Sequence, residues 1–213
     1  MSNSAESTSV GSEGGLPRLL VLACGALARE LLDIVELNKL DHVSIECLPA
    51  RYHNEPDKII PELAARLPEA RERYDNILVG YADCGTGGLL DVFCEEHGLD
   101  RLPGDHCYGF FAGNAAFSEL HEAELGTLYL TDYLATHFDR LIWQGLGIAD
   151  HPELRDMYFG NYTRVLYLAQ RPTPATAAAA EAAADRLGLR FETITTNYGE
   201  LSESVVRFAG ASQ

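Results

Sequence analysis

RLLVLACG at residues 18–25 and NILVGYADCG at residues 76–85 are the two stretches that decide the fold. Each is an apolar run that leads to a cysteine followed by a glycine. A run without polar alternation is typical of a strand covered on both faces, as in a parallel sheet. A helical pattern follows each run, so both stretches predict a strand, a tight turn and a helix.

The rest of the chain alternates between strand and helix patterns. Further strands are predicted at His42–Cys47, Thr127–Leu130, Arg164–Gln170 and Arg190–Thr196. Helices are predicted over 26–38, over 57–73, after Gly88, from Thr131 to Ile142, around 152–159 and over 174–187. This order predicts an α/β fold: a mainly parallel sheet with helices on both faces.

A short sequence pattern occurs in both units. Cys24-Gly25 is followed by a helix with Leu31-Leu32-Asp33, and Cys84-Gly85 by a helix with Leu89-Leu90-Asp91. This internal repeat suggests two pseudo-repeated halves. We expect residues 17–208 to form a single α/β domain, because a chain of this length can bury one full core. Residues 1–16 are Ser/Gly/Glu-rich and are expected to be a disordered tail, and 209–213 a second tail.

Composition narrows the classes of function. The chain has 32 acidic and 16 basic residues and a formal charge of −16, which disfavours binding to nucleic acid or an anionic membrane. We expect no membrane segment and no secretion signal, because no apolar run is long enough and the first residues lack a basic start. Five cysteines without such a signal indicate reduced thiols rather than a disulfide framework, so a cytoplasmic location is expected.

Cys24 and Cys84 are the predicted catalytic residues. Both follow strands, and ligands of open parallel sheets bind beyond the carboxyl ends of strands. The helices that begin there should favour the thiolate form of each cysteine. Cys47 and Cys94 lie at apolar positions of a strand and a helix, so we expect them to be packing residues.

The segment after Cys84 and a loop after the second strand are predicted to bind a ligand. Glycines after a strand let backbone N–H groups approach a phosphate, a carboxylate or an oxyanion. Asp83 could orient a ligand, act as a base or cap the next helix. The predicted ligand-binding residues are Asn54, Asp83, Gly85, Thr86, Gly87 and Gly88.

A metal site is the second interpretation of the same edge. Cys107 and His106 share a Pro/Gly-rich loop, and His53 lies in the loop after the second strand. Cys24, Cys84 and Cys107, with His53 or His106, would suit tetrahedral zinc, and sulfur ligands also suit an iron–sulfur cluster. The ligands would come from scattered loops, because the sequence has no C-x-x-C pair and no H-E-x-x-H helix.

Six long motifs resemble a widespread prokaryotic family known only as a domain of unknown function. They are LACGALARE (22–30), LPARYHNEP (48–56), ILVGYADCGTGGLLD (77–91), RLPGDHCYGFFAG (101–113), LTDYLATHFDRLIWQGLG (130–147) and HPELRDMYFGNYTRVLYLAQ (151–170). Members are often encoded beside corrinoid proteins and methyltransferases. The resemblance therefore implies a role in corrinoid-dependent methyl transfer. That role would be either a metal-thiolate protein or a non-catalytic accessory protein that binds a corrinoid or another small molecule and docks on a corrinoid protein or methyltransferase.

A second resemblance supports an alternative. Cofactor-independent aspartate/glutamate racemases also place two cysteines after strands, on either side of a substrate carbon, and LACGA and ADCGT are similar to that arrangement. In those enzymes Asn-Thr or Thr-His typically follows the cysteine, whereas Gly follows it here. The alternative is a two-cysteine acid/base enzyme that acts on a small carboxylate.

Overall fold

Four parallel strands form the first sheet of the computed structural model, which describes residues 16–211. They are β1 (Leu19–Cys24), β2 (Val43–Leu48), β3 (Asn76–Gly80) and β4 (Asp100–Arg101), in the spatial order β2-β1-β3-β4. Strand β1 lies in the middle of this sheet. Its residues form an apolar run because both faces of the sheet are covered. Leu19, Val21 and Ala23 belong to one core and Leu20 and Leu22 to the other, all of them buried.

Three parallel strands form a second sheet. They are β5 (Thr127–Leu130), β6 (Arg164–Ala169) and β7 (Arg190–Thr195), in the order β5-β6-β7. Every residue of the central strand β6 is buried. Its apolar side chains enter two cores, one on each face of this sheet.

Helices cover both sheets. They are α1 (Ala28–Leu37), α2 (Ile59–Arg73), α3 (Leu89–His97), α4 (Tyr108–Ala112), α5 (Asn114–Ala123), α6 (Asp132–Thr136), α7 (Leu154–Phe159), α8 (Pro174–Leu187) and α9 (Gly199–Ala211). A π-helical segment (Asp139–Gln144) lies between α6 and α7, and 3-10 turns lie at Gly25–Leu27, Ala50–His53 and Pro56–Lys58. None of the helices within 16–211 is long and apolar enough to cross a bilayer.

The two faces of the first sheet have different partners. Helices α2 and α3 pack on one face, through residues such as Leu63 and Leu90. Helix α1 packs on the other face together with α9, whose Leu201 and Val205 are fully buried. Because α9 follows the last strand of the second sheet, the end of the chain completes the core of the first.

The predicted α/β fold with parallel strands and helices on both faces is confirmed, but the strands form two sheets rather than one. The internal repeat does not relate one sheet to the other. Strands β1 and β3, which precede Cys24 and Cys84, are neighbours in the first sheet, with Ala23 paired to Gly80.

Strand β3 ends four residues before Cys84, whereas the sequence predicted a strand through Cys84. Beyond Gly80 the chain leaves β1 and follows the loop that contains Gly104 and Asp105. The backbone N–H of Asp83 donates to Gly104 (3.0 Å) and that of Cys84 donates to Asp105 (2.9 Å). Cys84 therefore lies in a loop whose path is fixed by a second loop.

Three smaller expectations also differ from the structure. The helix expected from Thr131 to Ile142 is interrupted at His137, although Leu134 and Leu141 still face the same core. The tail expected at 209–213 is helical as far as Ala211, and Ala209 is buried against the first sheet. The tail expected at 1–16 lies outside the described residues except for Leu16.

Candidate functional site

The carboxyl ends of strands from both sheets meet at one buried pocket. Cys24 ends β1, Tyr81 follows β3 and Thr131 follows β5, and all three line this pocket. We call it the thiol pocket, because Cys24, Cys84 and Cys107 line it together with His53 and Tyr81. Its free volume of about 30 Å³ has room for an ion or one or two water molecules, and is far too small for a corrinoid.

The structure brings together four of the five predicted metal ligands. Cys24, His53, Cys84 and Cys107 come from four separate segments of the chain and line the thiol pocket. The fifth, His106, lines a larger neighbouring cavity. Within residues 16–211, no three His, Cys, Asp or Glu side chains have the arrangement of a ready-made metal site. The metal site therefore stays a prediction.

Cys84 and Cys107 form a close thiol pair in which each affects the pKa of the other. The Cys107 thiol lowers the pKa of Cys84 below that of an ordinary cysteine, against the opposing effect of burial. The same contact, together with burial, raises the pKa of Cys107 well above its usual value. Cys84 is therefore the more acidic thiol of the pair.

Cys24 does not behave as the sequence predicted. Burial raises the pKa of its thiol to about 12, and this outweighs the backbone N–H of Ala26, which donates to Sγ at 3.4 Å. The helix that follows Cys24 begins as a single 3-10 turn, and the Ala26 N–H is the group of that turn that donates to the thiol. The expectation that helix N-termini acidify both thiols is wrong for Cys24, and for Cys84 the main cause is Cys107.

The loop after Cys84 is held by Asp83. Its carboxylate accepts hydrogen bonds from the Thr86 hydroxyl (2.6 Å) and from the backbone N–H groups of Gly87 (3.1 Å) and Gly88 (2.7 Å). Burial raises the pKa of Asp83, but these hydrogen bonds outweigh it and keep the pKa below its usual value. The amides of Gly87 and Gly88, which were predicted to face an external anion, thus face the protein's own carboxylate.

Cys84 has an unusual backbone conformation. Its φ is +50°, and the φ of Gly85 is +83°. The left-handed region is rarely occupied by residues with a Cβ and costs about 1 kcal/mol or more. The loop anchored by Asp83 holds this conformation and turns Cys84 towards Cys107.

The remaining predicted residues lie at the rim. His53 is exposed on one side and packed against protein on the other; burial and the nearby His106 lower its pKa, so its imidazole is neutral at physiological pH. Asn54 is turned away from the ligand position, because its side-chain amide donates to the Leu141 carbonyl oxygen (2.6 Å). Asn54 thus fixes this loop to the second half of the molecule.

The other two cysteines lie outside the pocket. Cys94 is buried in the core between α3 and the sheet, as predicted for a packing residue. Cys47 is exposed, so its assignment as a packing residue is wrong. It lies on β2, an edge strand of the sheet, where one side of the strand has no neighbour.

Tyr81 is a site residue that the sequence did not predict. It is 2% exposed, and its hydroxyl has no hydrogen-bond partner in the described part of the chain, although it lies close enough to Cys24 to affect the pKa of that thiol. A buried hydroxyl without a partner costs about 1–3 kcal/mol, and such a group in a pocket is typical of a position that a ligand completes. The sequence did not indicate this role, because Tyr81 continues the apolar run of β3 and its residue type is common in strands.

The larger cavity next to the thiol pocket opens to solvent. We call it the outer chamber; it has a volume of about 380 Å³ and is lined by His53, Cys84, His106, Tyr108, Phe117, His121 and Tyr129, among others. His53, Cys84 and Cys107 line both cavities. The thiol pair therefore lies between a narrow inner pocket and a wider outer one.

Two parallel sheets whose strand ends meet at three buried or half-buried thiols define an α/β protein with a multi-thiol site. The chain belongs to the family described as Protein of unknown function (DUF1638), whose sequence profile matches residues 47–205. The matched range contains His53, Cys84, His106 and Cys107 but not Cys24. No curated protein and no solved structure matches the chain.

Proposed function

We propose that the protein binds a zinc ion at the thiol pocket, whose volume suits a single ion, and acts in corrinoid-dependent methyl transfer. The observation that carries the proposal is the convergence of Cys24, Cys84, Cys107 and His53 on one small pocket. Thiolate sulfur and neutral imidazole are the ligands that zinc prefers, and His53 is held in its neutral form.

The thiol pair suits replacement of a proton by a metal ion. Cys84 and Cys107 already lie close together, with the pKa of Cys84 lowered and that of Cys107 raised. A bound cation would stabilise both thiolates, since metal binding and loss of the thiol proton are coupled. The same cation would offset the burial that raises the pKa of Cys24.

The methyl-transfer part rests on the family resemblance and on pocket size. When bound, a zinc ion would supply Lewis acidity that lowers the pKa of a thiol acceptor. A corrinoid does not fit in the thiol pocket, so in this proposal a corrinoid protein or methyltransferase presents it from outside.

Metal analysis tests the first part of the proposal. Untagged protein purified without oxygen should contain close to one equivalent of zinc, and Cys84→Ser and Cys107→Ser should each lose most of it. Cys47→Ser is the matched control, because Cys47 is exposed and lines neither cavity. A content below about 0.1 equivalent in the unmodified protein would reject the metal site.

Demethylation of free methylcobalamin by 2-mercaptoethanol tests the second part. The metal-loaded protein should accelerate the reaction, followed by absorbance, and Cys84→Ser should abolish the acceleration while Cys47→Ser retains it. Metal-loaded protein that produces no acceleration, either with methylcobalamin or with a methylated corrinoid protein, would leave the metal site standing and reject methyl transfer.

A metal-free acid/base enzyme is the second candidate. Cys24 and Cys84 line the same pocket, and the pKa of Cys84 is lowered while that of Cys24 is raised, so Cys84 would remove a proton from a substrate carbon and Cys24 would return one. Racemases need such a base and acid on opposite sides of the carbon. Solvent deuterium incorporated into a small carboxylate by metal-free protein, and lost in Cys24→Ser, would favour this candidate.

A further inference from the structure

The outer chamber is lined by few groups that carry charge. Among the described residues that line it there is no Asp, Glu, Lys or Arg. Its polar groups are imidazoles, phenol hydroxyls, the Thr127 hydroxyl and the thiols of Cys84 and Cys107. This contrasts with the rest of a chain whose formal charge is −16. A charged ligand would lose hydration here without an opposite charge to replace it.

One wall of the chamber is aromatic. Tyr108 stacks on Phe117 with ring centroids 5.8 Å apart, and Phe117 contacts Tyr129 at 4.8 Å. His106 and His121 lie against the same Phe117, at 5.9 Å and 6.2 Å. Rings packed in this way present a rigid surface on which a planar group can stack.

A buried hydroxyl in this wall has no partner. Tyr129 is 5% exposed, lines the chamber, and its hydroxyl meets no hydrogen-bond partner in the described part of the chain. The hydroxyl lies near the Thr127 hydroxyl and the Arg164 guanidinium, which are bonded to each other at 2.9 Å and oppose the effect of burial on the pKa of Tyr129. Tyr129 therefore contributes its ring to the wall of the chamber, while its hydroxyl is buried.

We infer that the outer chamber is a substrate site for an uncharged, planar organic molecule, which stacks on the aromatic wall and presents its reactive end to Cys84. The inference deepens the proposed function and rests on it, since Cys84 lines both the thiol pocket and the outer chamber. It does not depend on a bound metal, because the chamber and the thiol pair are present without one.

Competitive alkylation tests the ligand class within a single molecule. Chelator-treated, reduced protein would be treated at about pH 8, where unperturbed imidazoles are neutral, with N-benzyl-iodoacetamide, iodoacetate or a trimethylammonium-bearing iodoacetamide. In each case the thiolate sulfur displaces iodide and forms a thioether. Peptide mass spectrometry would give the alkylation rate of Cys84 relative to that of the exposed Cys47.

The neutral benzyl reagent should favour Cys84. We expect its Cys84-to-Cys47 ratio to exceed those of the anionic and cationic reagents about tenfold, which corresponds to about 1.4 kcal/mol of selective binding. In urea-unfolded protein the difference between reagents should disappear. An equal ratio for all three reagents, or a preference of Cys84 for either charged reagent, would overturn the inference.

A variant with a charged residue at the entrance of the outer chamber tests the same ligand class. Leu125 lines the chamber and is 71% exposed, so Leu125→Asp should fold normally and reduce the benzyl preference. Leu37→Asp changes an equally exposed leucine on α1, away from the chamber, and should preserve it. Metal content measured on the same proteins separates the two proposals. Absence of metal with a retained benzyl preference rejects the metal site alone. Bound metal without a benzyl preference rejects this inference alone.

Discussion

At the level of single residues, the acidity of Cys84 depends on one neighbour, the thiol of Cys107. Removing that thiol in Cys107→Ala should raise the pKa of Cys84, since the Cys107 thiol is the largest cause of its lowered pKa and burial opposes it. Alkylation of Cys84 at about pH 7 should then slow several-fold, because only the thiolate reacts. The pH profile of the alkylation rate measures the change, and Cys94→Ala, a buried cysteine outside the pocket, is the control.

Removal of the Tyr81 hydroxyl should stabilise the protein, and metal binding should cancel that gain. In metal-free protein, Tyr81→Phe should increase the free energy of unfolding by about 1 kcal/mol, because it removes a buried hydroxyl without a partner. With saturating zinc the gain should vanish if the hydroxyl contacts the ion's remaining ligand. Urea unfolding with and without zinc measures both values.

Tyr167→Phe is the matched comparison for Tyr81. The Tyr167 hydroxyl donates to Asp132 at 2.5 Å, so its removal should lower the free energy of unfolding with or without zinc. A loss of stability in metal-free Tyr81→Phe, similar to that of Tyr167→Phe, would show that the Tyr81 hydroxyl already has a partner within the protein.

At the level of elements, helix α1 carries an unusual buried carboxyl group. Glu30 is 4% exposed, one of its oxygens has no partner in the described part of the chain, and burial raises its pKa to about 7, with Asp132 contributing and Arg29 opposing. Asp132 begins α6 in the second half of the molecule. The protonation of Glu30 on α1 is therefore influenced by a carboxylate of α6.

Glu30 should make the protein less stable as the pH rises. Its pKa is about 4.5 in the unfolded chain and about 7 in the fold, so the folded state binds more protons between these values. The free energy of unfolding should fall by about 2 to 3 kcal/mol from pH 4.5 to pH 7 through this group alone. Glu30→Gln should remove this part of the pH dependence and stabilise the protein at about pH 8.

The exposed Glu36 on the same helix provides the control for Glu30. Chemical denaturation at a series of pH values should give curves for Glu36→Gln that run parallel to those of the unmodified protein. Parallel curves for Glu30→Gln would mean that the Glu30 carboxyl is ionised in the fold at a normal pKa, and the prediction would be wrong.

Elements whose ends are marked by local chemistry could be predicted from the sequence. The prediction for α8 has the observed bounds, because Thr173 caps its start and Gly188, with φ +68°, ends it. The end of β3 could not be predicted, because it depends on which loop the chain meets after Gly80. The same limit applies to the site: the position of Cys24 and Cys84 after strands was visible, but the Cys84–Cys107 contact depends on two distant loops.

At the level of the whole molecule, helix α9 and a few polar contacts connect the two sheets. Leu201 of α9 is fully buried against the first sheet, although α9 follows the second. Arg171, just after β6, is paired with Asp33 of α1, and Tyr198 donates to the same carboxylate. These links mean that neither half keeps its full set of contacts when the other unfolds.

Leu201→Ala should therefore destabilise both halves to the same extent. A fully buried leucine truncated to alanine costs about 2 to 5 kcal/mol. The protein's single tryptophan, Trp143, packs against the core of the second sheet, so its fluorescence reports on the half that Leu201 does not contact. We expect the urea midpoints from Trp143 fluorescence and from far-UV circular dichroism to fall together, because one cooperative unit has a single free energy of unfolding.

Leu37→Ala, an exposed leucine on α1, should shift neither midpoint appreciably. A fluorescence midpoint that stays in place while the dichroism transition broadens would mean that the sheets unfold separately, and the expected single domain would then be two.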